Sequence, residues 1–189
     1  MSAATARRIV LPAEPLVDGD TSLRPWRDSD LPALVESGRD PEVTRWMGLP
    51  RQYRKSDARA YLMSRYDGVN AGVRAPFAIV ETGDGELLGS IALAHFVWED
   101  QRGEVGYWLG DRARGQGHAT RAVGLICAWG FSALGLERIE LQAAVGNPAS
   151  QRVAERAGFT REAVLRSRWS TFGGERHDMV CFGLLVGDG

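Results

Sequence analysis

Where the strand-like run EVGYWLG gives way to a long helical run, the chain places Arg112, Arg114, Gly115, Gly117 and Arg121 within one short stretch, DRARGQGHATR. Glycines let backbone amides converge on phosphate oxygens, and the unpaired amides and dipole of a helix start favour negative charge. Spacing separates the possible phosphate loops. Aligning Gly110 and Gly115 on a Walker A pattern puts Gln116 and Gly117 where Lys and Ser/Thr must stand, so the residue that grips a terminal phosphate is missing. A dinucleotide fingerprint would need a third glycine where Thr120 stands and an acidic residue ending the next strand, and neither is present. What remains is R-x-x-G-x-G, formed by Arg112, Gly115 and Gly117. Upstream on the same strand, Glu104 offers a carboxylate that could act as a general base, directly or through water. A lone strand glutamate also serves as a solvated or cross-strand residue, and Glu99, Asp100 and His95 stand nearby as alternatives.

The elements that must hold these residues can be read from periodicity and caps. Residues 22–26 read as a strand, and Asp28 or Ser29 as a cap for a helix through LPALVES to Gly38. Pro41 opens a short helix to Met47. Ser56 or Asp57 would cap a third helix, with Ala60, Met63 and Tyr61 toward the core and an end near Gly68. APFAIVET, the turn GDGE and LLGSIALAHF read as a hairpin, followed by EVGYWLG. Residues 119–134 carry apolar side chains at helical spacing, among them Cys127, which belongs to the core and not to chemistry. RIELQAAV is a strand. NPASQRVAERAG is a helix with Asn147 as cap, Pro148 at its first position and Ser150 in its first turn. Strand-like runs at 163–166 and 179–186 close a mixed α/β order. Residues 1–15, interrupted by Pro12 and Pro15, read as a flexible leading segment, and 16–189 as one domain.

Composition narrows the class. The 189 residues are 44% hydrophobic and 25% charged with net charge −1, the make-up of a globular domain without the basic field of a nucleic-acid binder or anionic-membrane binder. No apolar run approaches membrane-spanning length. The two cysteines and three histidines show no metal-ligand spacing, so no metal site is expected, and a reduced, cytoplasmic setting is the simplest reading.

Three segments, LRPWRDSDLPAL, GEVGYWLGDRARGQGHAT and VGNPASQRVAERAGF, occur in an order that resembles the RimJ/RimL branch of the GNAT superfamily of acyl-CoA-dependent N-acyltransferases, over residues 22–182. The resemblance implies a twisted, mostly antiparallel sheet flanked by helices and splayed between strands four and five, where a V-shaped slot takes the pantetheine arm of acetyl-CoA or another acyl-CoA. It places backbone groups of Trp108 and Leu109 on that arm. The amides of Arg112, Arg114, Gly115, Gln116, Gly117, His118, Ala119 and Thr120 would lie on the pyrophosphate, Asn147 on the pantetheine and Arg152 near the nucleotide. Glu104 is the implied base. Ser150 is the implied acid for the departing thiolate, in place of the tyrosine that many members carry further along and that this helix lacks. Trp98, Tyr107 and Trp108 either line a substrate mouth or simply pack.

From these residues the expected reaction is direct transfer in a ternary complex, since no covalent nucleophile with an adjacent base is evident. The acceptor is expected to be a primary amine, at a peptide N-terminus or on a small amino compound. Transfer of another acyl group such as succinyl, or CoA binding without catalysis, are the alternatives. Oligomeric state is not legible.

Overall fold

A computed structural model describes residues 7–47, 49–50, 52–171 and 174–188. Among the described residues eight strands form one sheet in the order β1-β2-β3-β4-β5-β6-β8-β7, and five α-helices flank it. β1 (Leu16–Asp18) and β2 (Thr21–Arg24) make a tight hairpin through Gly19, which has φ of 58°. β1 has no signature in the sequence, because its three residues have no periodicity of their own and exist as a strand only by pairing with β2. The leading segment is more tied than expected. Ile9 is 4% exposed and packs into the core, while residues 1–6 lie outside the described residues.

β2 ends on Arg24, whose guanidinium donates to both carboxylate oxygens of Asp30 at 2.8 and 2.7 Å, with both side chains buried. Asp30 also accepts from the Arg27 amide at 2.8 Å. This fork turns the chain from the sheet into α1 (Leu31–Ser37), whose N-cap is Asp30 and not Asp28 or Ser29, with no side-chain bond to the helix amides. α2 (Pro41–Met47) follows, then α3 (Lys55–Asn70), where the Asp57 carboxylate accepts from the Arg54 amide at 2.7 Å. The buried face of α3 is Ala58, Leu62 and Gly68. Ala60 and Met63, expected inside, are exposed; packing against Trp26, Leu34 and Ala78 chose the helix phase.

β3 (Arg74–Glu81), β4 (Leu87–Val97) and β5 (Arg102–Leu109) pair antiparallel. One face of these strands buries Phe77, Ile79, Ile91, Leu93 and Val105 with α4 (His118–Leu134). The other meets α1 and α3 through Ala78, Val80 and Trp108. β6 (Arg138–Ala144) lies parallel to β5, α5 (Pro148–Arg156) follows it, and β8 (Arg176–Leu185) and the edge strand β7 (Thr160–Ser170) complete the sheet.

The pairing of β5 with β6 covers only 102–105 against 138–141. Beyond it β6 follows β8 while β5 continues along β4. The β6-facing side of residues 106–109 therefore has no strand partner, and the sheet splays there. With β1 counted, these are the fifth and sixth strands, the pair expected as fourth and fifth.

Candidate active site

The splay opens a cleft of about 890 Å³ whose floor is the sheet face carrying Ser90, Ala94, Glu104, Trp108 and Gln142. Glu104 stands in register with Ala94 on one side and Glu140 on the other. It is half-buried, and Gln142 Nε2 donates to its Oε2 at 3.0 Å. Burial raises its pKa above the usual carboxylate value, and Glu140 adds to the rise, against lowering by His95, Arg168 and the Gln142 bond. Two irregularities bring the cations close. β4 slips register between Ala94 and Val97, with His95 at φ of 51°, and β7 slips between Leu165 and Trp169, with Ser167 at φ of 51°. Bulges re-aim side chains beside active sites. Here they place His95 and Arg168 on the cleft wall. The other two alternatives for the base do not reach it: Glu99 and Asp100 are exposed in a 3₁₀ turn off the cleft.

Ser150 sits across the slot. Asn147 caps α5 by accepting from the Ser150 amide at 3.1 Å, which leaves the serine hydroxyl for other partners. That hydroxyl accepts a hydrogen bond from Tyr107 Oη at 3.1 Å. Burial pushes the Tyr107 phenol up to about 12, so it stays protonated at neutral pH and keeps donating. Residue type and strand position alone are compatible with Tyr107 at a mouth or in packing. Its alternation on β5 toward the α4 and α5 side was the available signal, but only the crossover from β5 to α5 brings positions 107 and 150 together. Trp98 stacks on Phe96 at 4.4 Å, away from the cleft.

The loop ahead of α4 is built as its glycines require. Gly115 and Gly117 have φ of 77° and 87°, a region L-residues rarely adopt, and Gly117 is the N-cap of α4. Among the described residues the amides of 115–120 donate no backbone hydrogen bond, as expected for a helix start awaiting an anion. The side chains secure the loop. His118 is buried with Nδ1 at 2.9 Å from Thr21 Oγ1, and Arg121 donates to the same hydroxyl at 2.9 Å and to the Gln116 carbonyl at 3.0 Å. The Gln116 side chain bonds the Arg112 carbonyl. Arg114 pairs with Asp40 and donates to the Leu109 carbonyl at 3.2 and 3.1 Å, so one of the backbone groups assigned to the pantetheine is already engaged.

Of the residues named from sequence, Glu104, Trp108, Leu109, Arg114, Gly115 and Ala119 line the cleft together with Asn147 and Ser150. Arg112, Gln116, Gly117, His118 and Thr120 surround its loop end without lining it. Arg152 is exposed on α5 and lies off the cleft.

A splayed sheet with a glycine-led helix start at one end of the splay, and a carboxylate and a hydroxyl on its two sides, is an arrangement suited to an acyl-CoA-dependent N-acetyltransferase. Residues 21–160 match the acetyltransferase (GNAT) domain model, and the chain belongs to that family. An uncharacterized N-acetyltransferase, p20 of Bacillus licheniformis, is 30% identical over 164 residues, 87% of this chain and 92% of p20. YdaF of Bacillus subtilis (strain 168) is 36% identical over 102 residues, 54% of this chain, and the match spans 55% of YdaF. The solved structure of RimL, named a ribosomal L7/L12 alpha-N-protein acetyltransferase and bound to coenzyme A, superposes with a TM-score of 0.78 at 22% identity, over 91% of this chain and 98% of RimL. The likeness to RimL is one of fold.

Proposed function

We propose that residues 16–189 act as one domain that transfers the acetyl group of acetyl-CoA to a primary α-amine, at a peptide N-terminus or on a small amino compound. The observation that carries this reading is the placement of Glu104 and the Ser150–Tyr107 pair about the unpaired end of β5. Pyrophosphate bound on the amides of 115–120 would direct the pantetheine along residues 106–109, with the thioester between the two groups. Glu104, in its carboxylate form, takes the ammonium proton, and the neutral amine attacks the thioester carbonyl. Backbone amides at the splay stabilise the oxyanion. The C–S bond breaks as Ser150 gives its proton to the thiolate, and the proton lost by the attacking nitrogen as the amide forms passes through water to the serine oxygen, which the Tyr107 hydrogen bond stabilises. His118 and Arg121 hold the loop and take no part in proton transfer.

An α-amine titrates near 8 and a lysine side chain near 10.4, so a carboxylate base reaches the reactive form of the former with less cost. RimL carries an α-N-acetyltransferase name, in keeping with that choice. Cys127 and Cys181 are unbridged, in keeping with the reducing cytoplasm in which we place the protein; among the described residues no helix is long and apolar enough to cross a membrane. The test is thiol release from acetyl-CoA and from succinyl-CoA against N-terminal peptides, free amino acids, polyamines and aminoglycosides. Acetyl transfer to α-amines supports the reading. Exclusive use of a polycation, of succinyl-CoA or of internal lysines would overturn it, and CoA binding without turnover would mark a binding module.

A further inference from the structure

The acceptor end of the cleft carries two arginines that the reaction above does not use. Arg74 stands in register with Ala94, and Ala94 with Glu104, so Arg74 lies on the same sheet face two strands from the base, about 10 Å between Cα atoms at ordinary strand spacing. Its stem is packed on α3 at Gly68, where an added Cβ would fall 2.9 Å from Arg74 Cβ. Arg65 approaches from α3 with its guanidinium carbon 4.0 Å from the centre of the Tyr61 ring. Tyr61 is itself fixed, accepting from Trp108 Nε1 at 3.3 Å and bonded to Ser90 Oγ at 2.8 Å. Both arginines line the cleft.

Most of the other cations there have carboxylate neighbours. Arg102 faces Asp100 and Glu140, Arg114 pairs with Asp40, and Arg168 stands by Glu104. Glu42 accepts from Trp46 Nε1 at 3.0 Å. Among the described residues neither Arg65 nor Arg74 meets a carboxylate or donates a hydrogen bond, and the buried Arg65 Nε has no partner. Burial and the neighbouring Arg65 charge lower the Arg74 pKa, which marks two cations held close in a partly desolvated wall. A guanidinium in such a place favours a planar oxyanion.

Resting on the acetyl-transfer reading, we propose that Arg65 and Arg74 form a carboxylate subsite for the acceptor, so that the preferred substrate is an amine carrying a carboxylate several bonds away, such as a peptide with an acidic residue just after its N-terminus. The cleft then has a carboxylate at Glu104 for the ammonium and a cationic pole for the acid. A polyamine, positive at both ends, meets repulsion at the second pole.

The experiment uses tripeptide amides in matched pairs, Glu or Gln at the second or third position, with acetyl-CoA as donor. Peptide affinity is read in parallel by calorimetry with CoA bound. At one position the Glu peptide should exceed its Gln partner at least tenfold in kcat/KM and in affinity. Arg74→Met and Arg65→Met should each reduce that ratio at least fivefold, mainly through KM, and Arg74→Lys should restore part of it. Retained acetyl-CoA affinity in each variant reports an intact fold. Equal use of Glu and Gln peptides, or a preference that survives both substitutions, would overturn the subsite. So would a loss confined to succinyl-CoA with neutral peptides, which would assign the arginines to the acyl tail. Arginine-dependent binding of the Glu peptide without turnover would uphold the subsite while overturning acetyl transfer.

Discussion

Glu104→Gln separates catalysis from folding at the proposed base. The substitution keeps the size of the side chain, and a glutamine oxygen can still accept from Gln142 Nε2, which now bonds Glu104 Oε2 at 3.0 Å. Losing a positioned general base lowers turnover by about 10²-fold or more. The deficit depends on pH in a calculable way. With an α-amine pKa near 7.9, about a tenth of the acceptor is neutral at pH 7 and over nine-tenths at pH 9, so raising the pH should recover about eightfold of the variant's loss. In the wild type the folded pKa of Glu104 is raised, chiefly by burial, and the acid limb of kcat/KM should lie above the ordinary glutamate value and vanish in the variant. Stability should move the other way. A carboxyl with a raised folded pKa binds more protons folded than unfolded between the two values, so stability falls as pH rises through that window and stays lower above it. Removing the charge relieves this, and Glu104→Gln should melt no lower than wild type at pH 7. Steady-state rates from pH 5 to 9, with thermal melts, give both readings. An unchanged pH–rate profile would remove Glu104 from proton transfer, and a melt several degrees lower would make the rate loss a folding effect.

The acid and the loop are open to similar tests. Ser150→Ala should lower kcat with acetyl-CoA affinity retained, because the Asn147 cap uses the Ser150 amide and not its hydroxyl; Tyr107→Phe, losing one neutral hydrogen bond of about 0.5–1.5 kcal/mol, should cost about two- to tenfold in kcat. Rates intact in both variants would place the acid elsewhere. Gly117→Glu puts a side chain at φ of 87° with its Cβ 2.9 Å from Arg121 Nη1 and a negative charge at the anion site, and should weaken acetyl-CoA binding by on the order of 2–4 kcal/mol in calorimetry. Unchanged affinity would refute the loop assignment. Asp30→Ala strips the buried Arg24 of its partner and should cost about 3–5 kcal/mol of stability, a Tm fall of about 10 °C for a domain of this size, read by denaturant or thermal unfolding; a smaller change would mean that water replaces the carboxylate.

What the chain disclosed by itself was everything governed by a few neighbouring residues. Gly115 and Gly117 are needed where the backbone enters the left-handed region, the helix start follows directly, and an anion site is the consequence of that local geometry. Asn147 before Pro148 caps α5 for equally local reasons, and the GDGE turn joins β3 to β4. The resemblance carried by those segments was enough for the fold and the slot. Packing decided the rest. The phase of α3 was legible only once Trp26 and Leu34 stood against it, since its own pattern is weakly amphipathic. β7 runs from Thr160 to Ser170, much longer than 163–166, because an exposed edge strand shows no alternation and is held by its ladder to β8. Tyr107 meets Ser150 through the β5–α4–β6–α5 crossover, and Arg74 shares a sheet face with Glu104 through two strand registers. Pairings of this kind join residues far apart in the chain, and no local propensity encodes which distant side chain a strand or helix will face.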